Sequence, residues 1–469
     1  MSKPRLLIPL TIQFAVRYVI RTGMLKALQQ ISEPILLLGW NDPDLYNELK
    51  SDGYQVSYLP CVQMTGNLVR LRTKIKYAHL QRVKSSTTNI DRRRHRLSLA
   101  PSARIQNRLR TKAYELLGIW PGNFERWLQA EQKQIFEGPN CLEFVSLVEK
   151  VKPDYLFSVT PYLLEDELLI RAAAQKKVKL ITAILSFDNL TTRPRIPVLF
   201  DKYLLWNEFN RQELLRIYPD VNPNNIELVG SPQFDFYYDP SYLWDEFTWR
   251  ERLRIPLDRP VILFGAGPPT IAPMEPHNVA QLDDAIEQGQ FPNNPIILLR
   301  LHPVDTPARW ESLRQSAKHV IFDLPWQLGE GFVGKTNVSR FDIEKLASTL
   351  KYSQVHINTS STMTLDGAIF DRPQIGPAYD NHPGKKYDQA MRDLYLREHY
   401  IPITNSGGLQ IAYSFGQLRE YIIDAFRSPE RYSEGRKKMI RALCTYDDGK
   451  STQRVARAIE KFLNENRPN

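Results

Sequence analysis

The sequence predicts an α/β protein made of two doubly wound parallel-sheet domains. Three observations lead to that class. Short aliphatic runs alternate with amphipathic stretches along most of the chain, the pattern of strand–helix–strand units rather than of hairpins. The alternation starts afresh at Val261 after an aromatic-rich stretch. A chain of 469 residues with 42% apolar content exceeds what one core usually encloses.

The first series of strands is expected at residues 5–9, 35–39, 55–59, 155–159, 179–185, 202–206 and 226–229. Gly230-Ser231-Pro232 closes it, and residues 234–249 read as a linker. The second series is expected at 261–264, 296–301, 319–322, 355–357 and 374–376, followed by helices at 415–426, 429–443 and 452–464. These elements place an N-terminal domain at 1–235 and a C-terminal domain at 236–469.

The formal charge of +10 is concentrated in one place. Between residues 70 and 110 stand Arg70, Arg72, Lys74, Lys76, Arg82, Lys84, Arg92, Arg93, Arg94, Arg96, Arg104, Arg108 and Arg110 against a single acid, Asp91. The rest of the chain is close to neutral. This basic insertion, 66–112, falls between the third and fourth strands. Its cations, interleaved with Leu, Ile and Tyr, suit an anionic membrane surface or a lipid-linked acceptor, with Arg92, Arg93, Arg94 and Arg96 at its centre. A solvated arm is the plainer reading. Nucleic acid is not the expected partner, because no recognisable binding module accompanies the charge.

No window supplies the roughly 18 apolar residues of a spanning helix, so a cytoplasmic protein is expected, peripheral on the inner face of the plasma membrane if the insertion binds lipid. Cys61, Cys141 and Cys444 lie far apart, and neither zinc nor a structural disulfide is expected. Asp42-Pro43-Asp44 has a metal-binding spacing but also the form of a helix start. No metal or cofactor is expected.

Two strand-to-helix corners carry the chemistry. Ile296 to Leu299 leads into Arg300-Leu301-His302-Pro303, and Val355-His356-Ile357 leads into Asn358-Thr359-Ser360-Ser361-Thr362 with Asp366 further on. Each sets cationic or hydroxyl groups at the carboxyl end of a buried strand, before a helix start that attracts anions. A third corner, Gly265-Ala266-Gly267, is a glycine turn whose amides suit a phosphate, although it is incomplete as a dinucleotide fingerprint. Together they predict a site for a nucleotide-activated donor.

The HP pair His302-Pro303 and the paired serines Ser360-Ser361 resemble motifs of bacterial sialyltransferases, capsule Kdo transferases and CDP-glycerol glycerophosphotransferases of teichoic acid synthesis. Asp447-Asp448-Gly449-Lys450-Ser451 is similar to a segment near the end of the last group. The resemblance spans about residues 150–460 at motif level. It implies the GT-B architecture, two Rossmann-like domains facing across a cleft, and a glycosyltransferase or glycerophosphate transferase of surface-polysaccharide assembly. It gives His302, Ser360 and Ser361 the donor phosphate or nucleotide, joined by Gly265, Gly267, Arg300 and Thr362. Arg300 either adds charge there or pairs with a sheet-end carboxylate. Asp366 stands where related enzymes place a glutamate on the ribose. Asp188, in the loop where the glycerophosphotransferases carry a Trp-His-Gly histidine, is implied to be the base of a metal-independent, inverting displacement; as sequence alone it is equally a turn. Glu165 is its rival, in a run that also suits a helix's first turn. His382 and His399 read as surface histidines or as donor contacts. A sugar-nucleotide 2-epimerase shares the architecture and is the alternative enzyme; a non-catalytic lipid- or nucleic-acid-binding protein is the alternative of another class.

Overall fold

The computed structural model describes residues 3–325, 338–380 and 388–467. The chain packs as two compact units, residues 1–232 with 451–469, and residues 233–450.

The first unit is a seven-stranded parallel sheet of β1 (Arg5–Leu10), β2 (Glu33–Leu38), β3 (Gln55–Tyr58), β4 (Tyr155–Ser158), β5 (Lys179–Ala183), β6 (Lys202–Leu205) and β7 (Ile226–Leu228), in the order β3-β2-β1-β4-β5-β6-β7. Its central strands are apolar throughout because both faces are covered. Along β1, Leu6, Ile8 and Leu10 enter one core cluster and Leu7 enters the other, the period-two alternation of a pleated strand.

Between β3 and β4 the chain forms five helices, α1 (Gly66–Val83), α2 (Ser86–Ser98), α3 (Pro101–Ile119), α4 (Asn123–Phe136) and α5 (Pro139–Val151). The basic insertion is therefore folded, not a solvated arm. Thr65 and Ser85 cap α1 and α2 through the amides of Leu68 and Thr87. Buried ion pairs fix the block to α6 (Leu164–Gln175), the helix after β4. Arg72 of α1 donates to Glu167 of α6 at 2.6 Å, and Arg171 of α6 reaches Glu167 at 3.0 Å and Glu131 of α4 at 3.3 Å. Asp166, also on α6, is fully buried beneath β4, so the acidic run around Glu165 is part of the scaffold.

The second unit is a six-stranded parallel sheet of β8 (Val261–Gly265), β9 (Ile296–Arg300), β10 (Val320–Asp323), β11 (Val355–Asn358), β12 (Gln374–Pro377) and β13 (Leu409–Ala412), ordered β10-β9-β8-β11-β12-β13. Two of its helices matter below, α7 (Glu275–Glu287) after β8 and α8 (Met363–Ile369) after β11. Both units are Rossmann-like.

Two expectations are corrected here, and one strand lies outside the expected series. Residues 234–249 are no linker: the Trp249 indole donates to Thr349 Oγ1 at 3.1 Å and the Trp244 amide to Ser348 Oγ at 2.9 Å, so the stretch is anchored in the second unit. The edge strand β13 has half-exposed residues at Gln410 and Ile411, and so lacks the apolar run that marks a buried strand. The last helix, α9 (Ser451–Glu465), belongs to the first unit, where Val455, Ala458, Ile459, Phe462 and Leu463 join the core beside β1.

Candidate active site

In the second sheet the strand order reverses between β8 and β11, and open α/β sheets take their ligands outside the carboxyl ends of the strands at such a point. Gly265 and Asn358 are register partners there. A Cβ on Gly265 would lie 2.6 Å from the sulfur of Met363, so glycine is what allows α8 to begin so close to β8.

The glycine turn does not present its amides to a phosphate as expected. The Ala266 amide donates to the Arg300 carbonyl at 2.9 Å, and the Gly267 amide donates to Glu275 Oε2 at 2.8 Å. Glu275 organises this corner: its Oε1 accepts from Thr359 Oγ1 at 3.0 Å, and its Oε2 meets Arg309 Nη2 at 3.3 Å. Arg309 also bonds the carbonyls of Gly267 and Ala272 and pairs with Asp305 at 2.7 Å. Burial pushes the Glu275 carboxyl up to about 7 against the pull of Arg309. Nothing in the sequence marks this pair, since an acid beside a proline at a helix start looks like any other first-turn acid.

His302 is half-buried after β9. Its Nδ1 accepts the Val304 amide at 3.1 Å, which leaves the ring proton on Nε2. Burial lowers its pKa to about 4, with Arg309 adding to the shift and Asp305 opposing it. At neutral pH His302 is thus an uncharged N–H donor. Arg300 is a correction to the donor set. Its guanidinium is buried and bonded to Asp323 at the end of β10, the sheet-end pairing.

At the β11 corner, Asn358 Oδ1 accepts the Ser361 amide at 3.3 Å and the Thr364 hydroxyl at 2.8 Å, folding the loop back on the strand. Ser360 has a left-handed backbone (φ 45°) and donates its hydroxyl to the Leu394 carbonyl at 3.0 Å. Ser361 Oγ accepts the Met363 amide at 3.2 Å, so its own proton is directed elsewhere. Thr362 precedes α8 and makes no side-chain cap. Asp366 is buried, and its Oδ1 accepts the Tyr237 hydroxyl at 2.5 Å.

In the first unit, Asp188 follows β5 and starts the turn Asn189–Thr192. Its Oδ1 accepts from Ser186 Oγ and Asn189 Nδ2, and its Oδ2 from Thr192 Oγ1 at 3.0 Å. It is both a turn residue and a half-buried carboxylate in fixed orientation. Thr191 and Thr192 also line a cavity of about 480 Å³ walled by α1 and α2, where Lys76, Arg193 and Arg195 stand with the carboxylates of Asp91, Glu131 and Glu167. At the switch point of this sheet, Asp166 accepts Ser158 Oγ at 2.8 Å and Thr160 Oγ1 at 2.5 Å, and burial raises its pKa to about 7.

Among the other residues singled out in the sequence, Arg92 is tied to Glu115 at 2.6 Å. Arg93 is exposed, and Arg94 and Arg96 are half-buried on α2. His399 is buried, not a surface histidine; His382 lies outside the described residues. Asp42 caps a helix through the Leu45 amide at 3.0 Å. Among the described residues no group of His, Cys, Asp and Glu is arranged to hold a metal ion.

Residues 198–461 match the family model of CDP-glycerol:poly(glycerophosphate) glycerophosphotransferases. The chain belongs to that family. The glycerophosphotransferase match takes in the whole second unit with His302 and Ser361, and starts after Asp188 and the cationic helices. It places the chain in the GT-B glycosyltransferase superfamily, as a transferase that uses a nucleotide-activated donor. No curated protein matches in sequence. Solved structures share the fold. A Listeria monocytogenes protein assigned as a UDP-N-acetylglucosamine 2-epimerase has 12% identity and a TM-score of 0.58 over 99% of this chain and 98% of its own. The Neisseria meningitidis UDP-GlcNAc 2-epimerase, bound to UDP-GlcNAc, has 12% identity and a TM-score of 0.55 over 98% and 100%. A Rickettsia africae glycosyltransferase has 13% identity and a TM-score of 0.50 over 100% of both chains.

Proposed function

We propose that this glycerophosphotransferase-family protein moves glycerol phosphate from CDP-glycerol to a hydroxyl of an anionic surface-polysaccharide or lipid-linked acceptor, in a metal-independent, in-line displacement. The observation that carries the reading is the neutral His302, held by the Val304 amide so that Nε2–H points its proton outward, at the same sheet end as the Ser361 hydroxyl. Two preset donors at a switch point suit the phosphate oxygens of a nucleotide donor, and they strengthen as charge develops on the departing group. The acceptor oxygen attacks the β-phosphorus, the bond from that phosphorus to the bridging oxygen breaks, and CMP leaves. Asp188 takes the acceptor proton. Lys76 and Arg193, on the wall of the cavity beside the Asp188 turn whose other arginines pair with carboxylates, support an acceptor that itself bears phosphate. The epimerase likeness is one of fold, and the Asp188 loop lacks the histidine that an epimerase would bring there.

The test is CMP release from CDP-glycerol, together with thermal stabilisation by CMP, CDP, UDP and GDP. At about 100 times its dissociation constant a cytidine nucleotide should stabilise the folded protein by roughly 2.7 kcal/mol. His302→Ala should lose most of this shift. Stabilisation by UDP alone, or an equal shift in the variant, would remove the CDP-glycerol reading.

A further inference from the structure

Tyr162 starts a chain of hydrogen bonds that ends on the Asp188 carboxylate. It stands in the turn between β4 and α6, while Asp188 and Asn189 stand beyond β5. Because β4 and β5 are parallel neighbours, the two turns emerge side by side at the carboxyl end of the sheet. Tyr162 is 5% exposed, and its hydroxyl donates to Asn189 Oδ1. The same oxygen accepts the Ser186 amide at 3.2 Å, and the other arm of the side chain, Nδ2, donates to Asp188 Oδ1 at 3.3 Å. Asn189 is itself buried.

The chain of bonds has one consistent direction. Burial lifts the Tyr162 phenol far above its usual pKa, with the Arg193 guanidinium opposing the shift and Asp188 and Asp166 adding to it, so at neutral pH the ring keeps its proton. Tyr162 is thus a donor, and the Asn189 atom that meets it must be the carbonyl oxygen. That choice turns the NH₂ toward Asp188. A flipped amide would set its NH₂ against the Tyr162 hydroxyl and the Ser186 amide, and its oxygen against a carboxylate, losing all three contacts. A second buried amide, Asn210, holds the same loop through its backbone, donating to the Phe187 carbonyl at 2.7 Å. Asn189 is the amide that touches the carboxylate. Arg193, whose guanidinium lies 6.0 Å from the centre of the Tyr162 ring, also lines the cavity beside the turn, so the relay begins at the wall of the proposed acceptor site. We infer that Tyr162 and Asn189 are positioning residues for the transfer, on the reading of Asp188 as its base: Tyr162 orients the Asn189 amide, and that amide fixes the carboxylate that takes the acceptor proton. A base held at one angle needs no reorientation when the acceptor hydroxyl arrives.

The experiment is steady-state CMP release from saturating CDP-glycerol across pH, with a soluble glycerol phosphate oligomer as acceptor, for the full chain as wild type, Tyr162→Phe, Asn189→Asp and Asp188→Asn. Tyr203→Phe is the control, since it removes another buried phenol hydroxyl of the same unit, one that accepts the Phe200 amide at 2.9 Å. Tyr162→Phe should lower kcat roughly 10- to 100-fold and leave the acceptor KM near the wild-type value. The acid limb of its kcat profile should move to higher pH, because a carboxylate that loses a fixed donor holds its proton more tightly. Asn189→Asp should move that limb further, by setting a second carboxylate beside the first. Tyr203→Phe should lose thermal stability while keeping kcat and the limb, and stabilisation by a cytidine nucleotide should be the same in every variant. If Asp188→Asn is inactive while Tyr162→Phe keeps the wild-type kcat and limb, the positioning role falls and the base reading stands. A kcat loss with an unmoved limb would make Tyr162 structural, and a loss confined to KM would make it an acceptor contact; either overturns the inference. Full turnover in Asp188→Asn would remove the base reading itself.

Discussion

The two sheets share their wiring but treat the carboxylate at the switch point in opposite ways. In the first unit Asp166 is held by the neutral hydroxyls of Ser158 and Thr160. In the second unit Glu275 is held by the Gly267 amide, the Thr359 hydroxyl and the Arg309 guanidinium. Burial raises both to about 7. Only Glu275 has a cation bound to the strand-end turn, and only that crevice carries the HP and paired-serine groups. The same burial is thus met in two ways, with a guanidinium and an amide at Glu275 and with hydroxyls alone at Asp166.

Variants should separate the two regions. The largest expected effect is on turnover: Asp188→Asn should lower CMP release by about 10²–10⁴-fold while thermal stabilisation by a cytidine nucleotide stays as in wild type. Loss of nucleotide binding instead would move Asp188 to the donor side. Next is Glu275→Ala, which strips three buried partners at once and should cost about 3–5 kcal/mol in urea unfolding. Glu275→Gln keeps the amide and hydroxyl contacts and should cost less, about 1–3 kcal/mol. Equal costs would show that the charge pair with Arg309 carries the whole effect and the amide and hydroxyl contacts none of it.

His302→Ala should weaken nucleotide binding by about 1.5–3 kcal/mol, the worth of a hydrogen bond to a charged group. Because the folded pKa of His302 is about 4, binding should be level from pH 8 down to pH 5. A rise on crossing pH 6.5 would mean that the imidazolium, not the neutral ring, is the donor. The smallest effect belongs to Asp166→Asn. A carboxyl raised from its unfolded value near 4 to about 7 binds its proton more tightly in the folded state, so wild-type stability should fall as pH rises across that window. Asparagine mimics the protonated acid. The variant should lie within about 1 kcal/mol of wild type at pH 5, be relatively more stable at pH 8, and lose that part of the pH slope. An unchanged slope would show that Asp166 is not the group responsible.

Much of the fold was legible because a strand buried on both faces is apolar along most of its length, and the central strands β1, β2, β8 and β9 announce themselves that way. The half-exposed edge strand β13 does not. That His302, Ser360 and Ser361 gather at strand ends was legible from their positions after apolar runs. Glu275 and Arg309 were not, because they meet only after folding, 34 residues apart in sequence. Arg300 misled for the same reason: a cation at a strand end looks like a ligand group until Asp323 arrives from the neighbouring strand. Charge alone did not show that the basic stretch folds, because the acids that pair with Arg72 stand at Glu131 and Glu167, outside it.

Helix α9 has a consequence for biosynthesis. Its apolar face completes the first unit's core, and the Tyr155 hydroxyl donates to the carbonyls of Leu463 and Asn466 at 3.2 and 2.5 Å. The first sheet is therefore translated early but lacks a wall until the whole second unit, residues 233–450, has followed it out of the ribosome. At roughly 5–20 residues per second that delay is on the order of ten seconds or more. Throughout it, the apolar surface beside β1 stands open, and a nascent chain in that state is a natural client for a holdase chaperone.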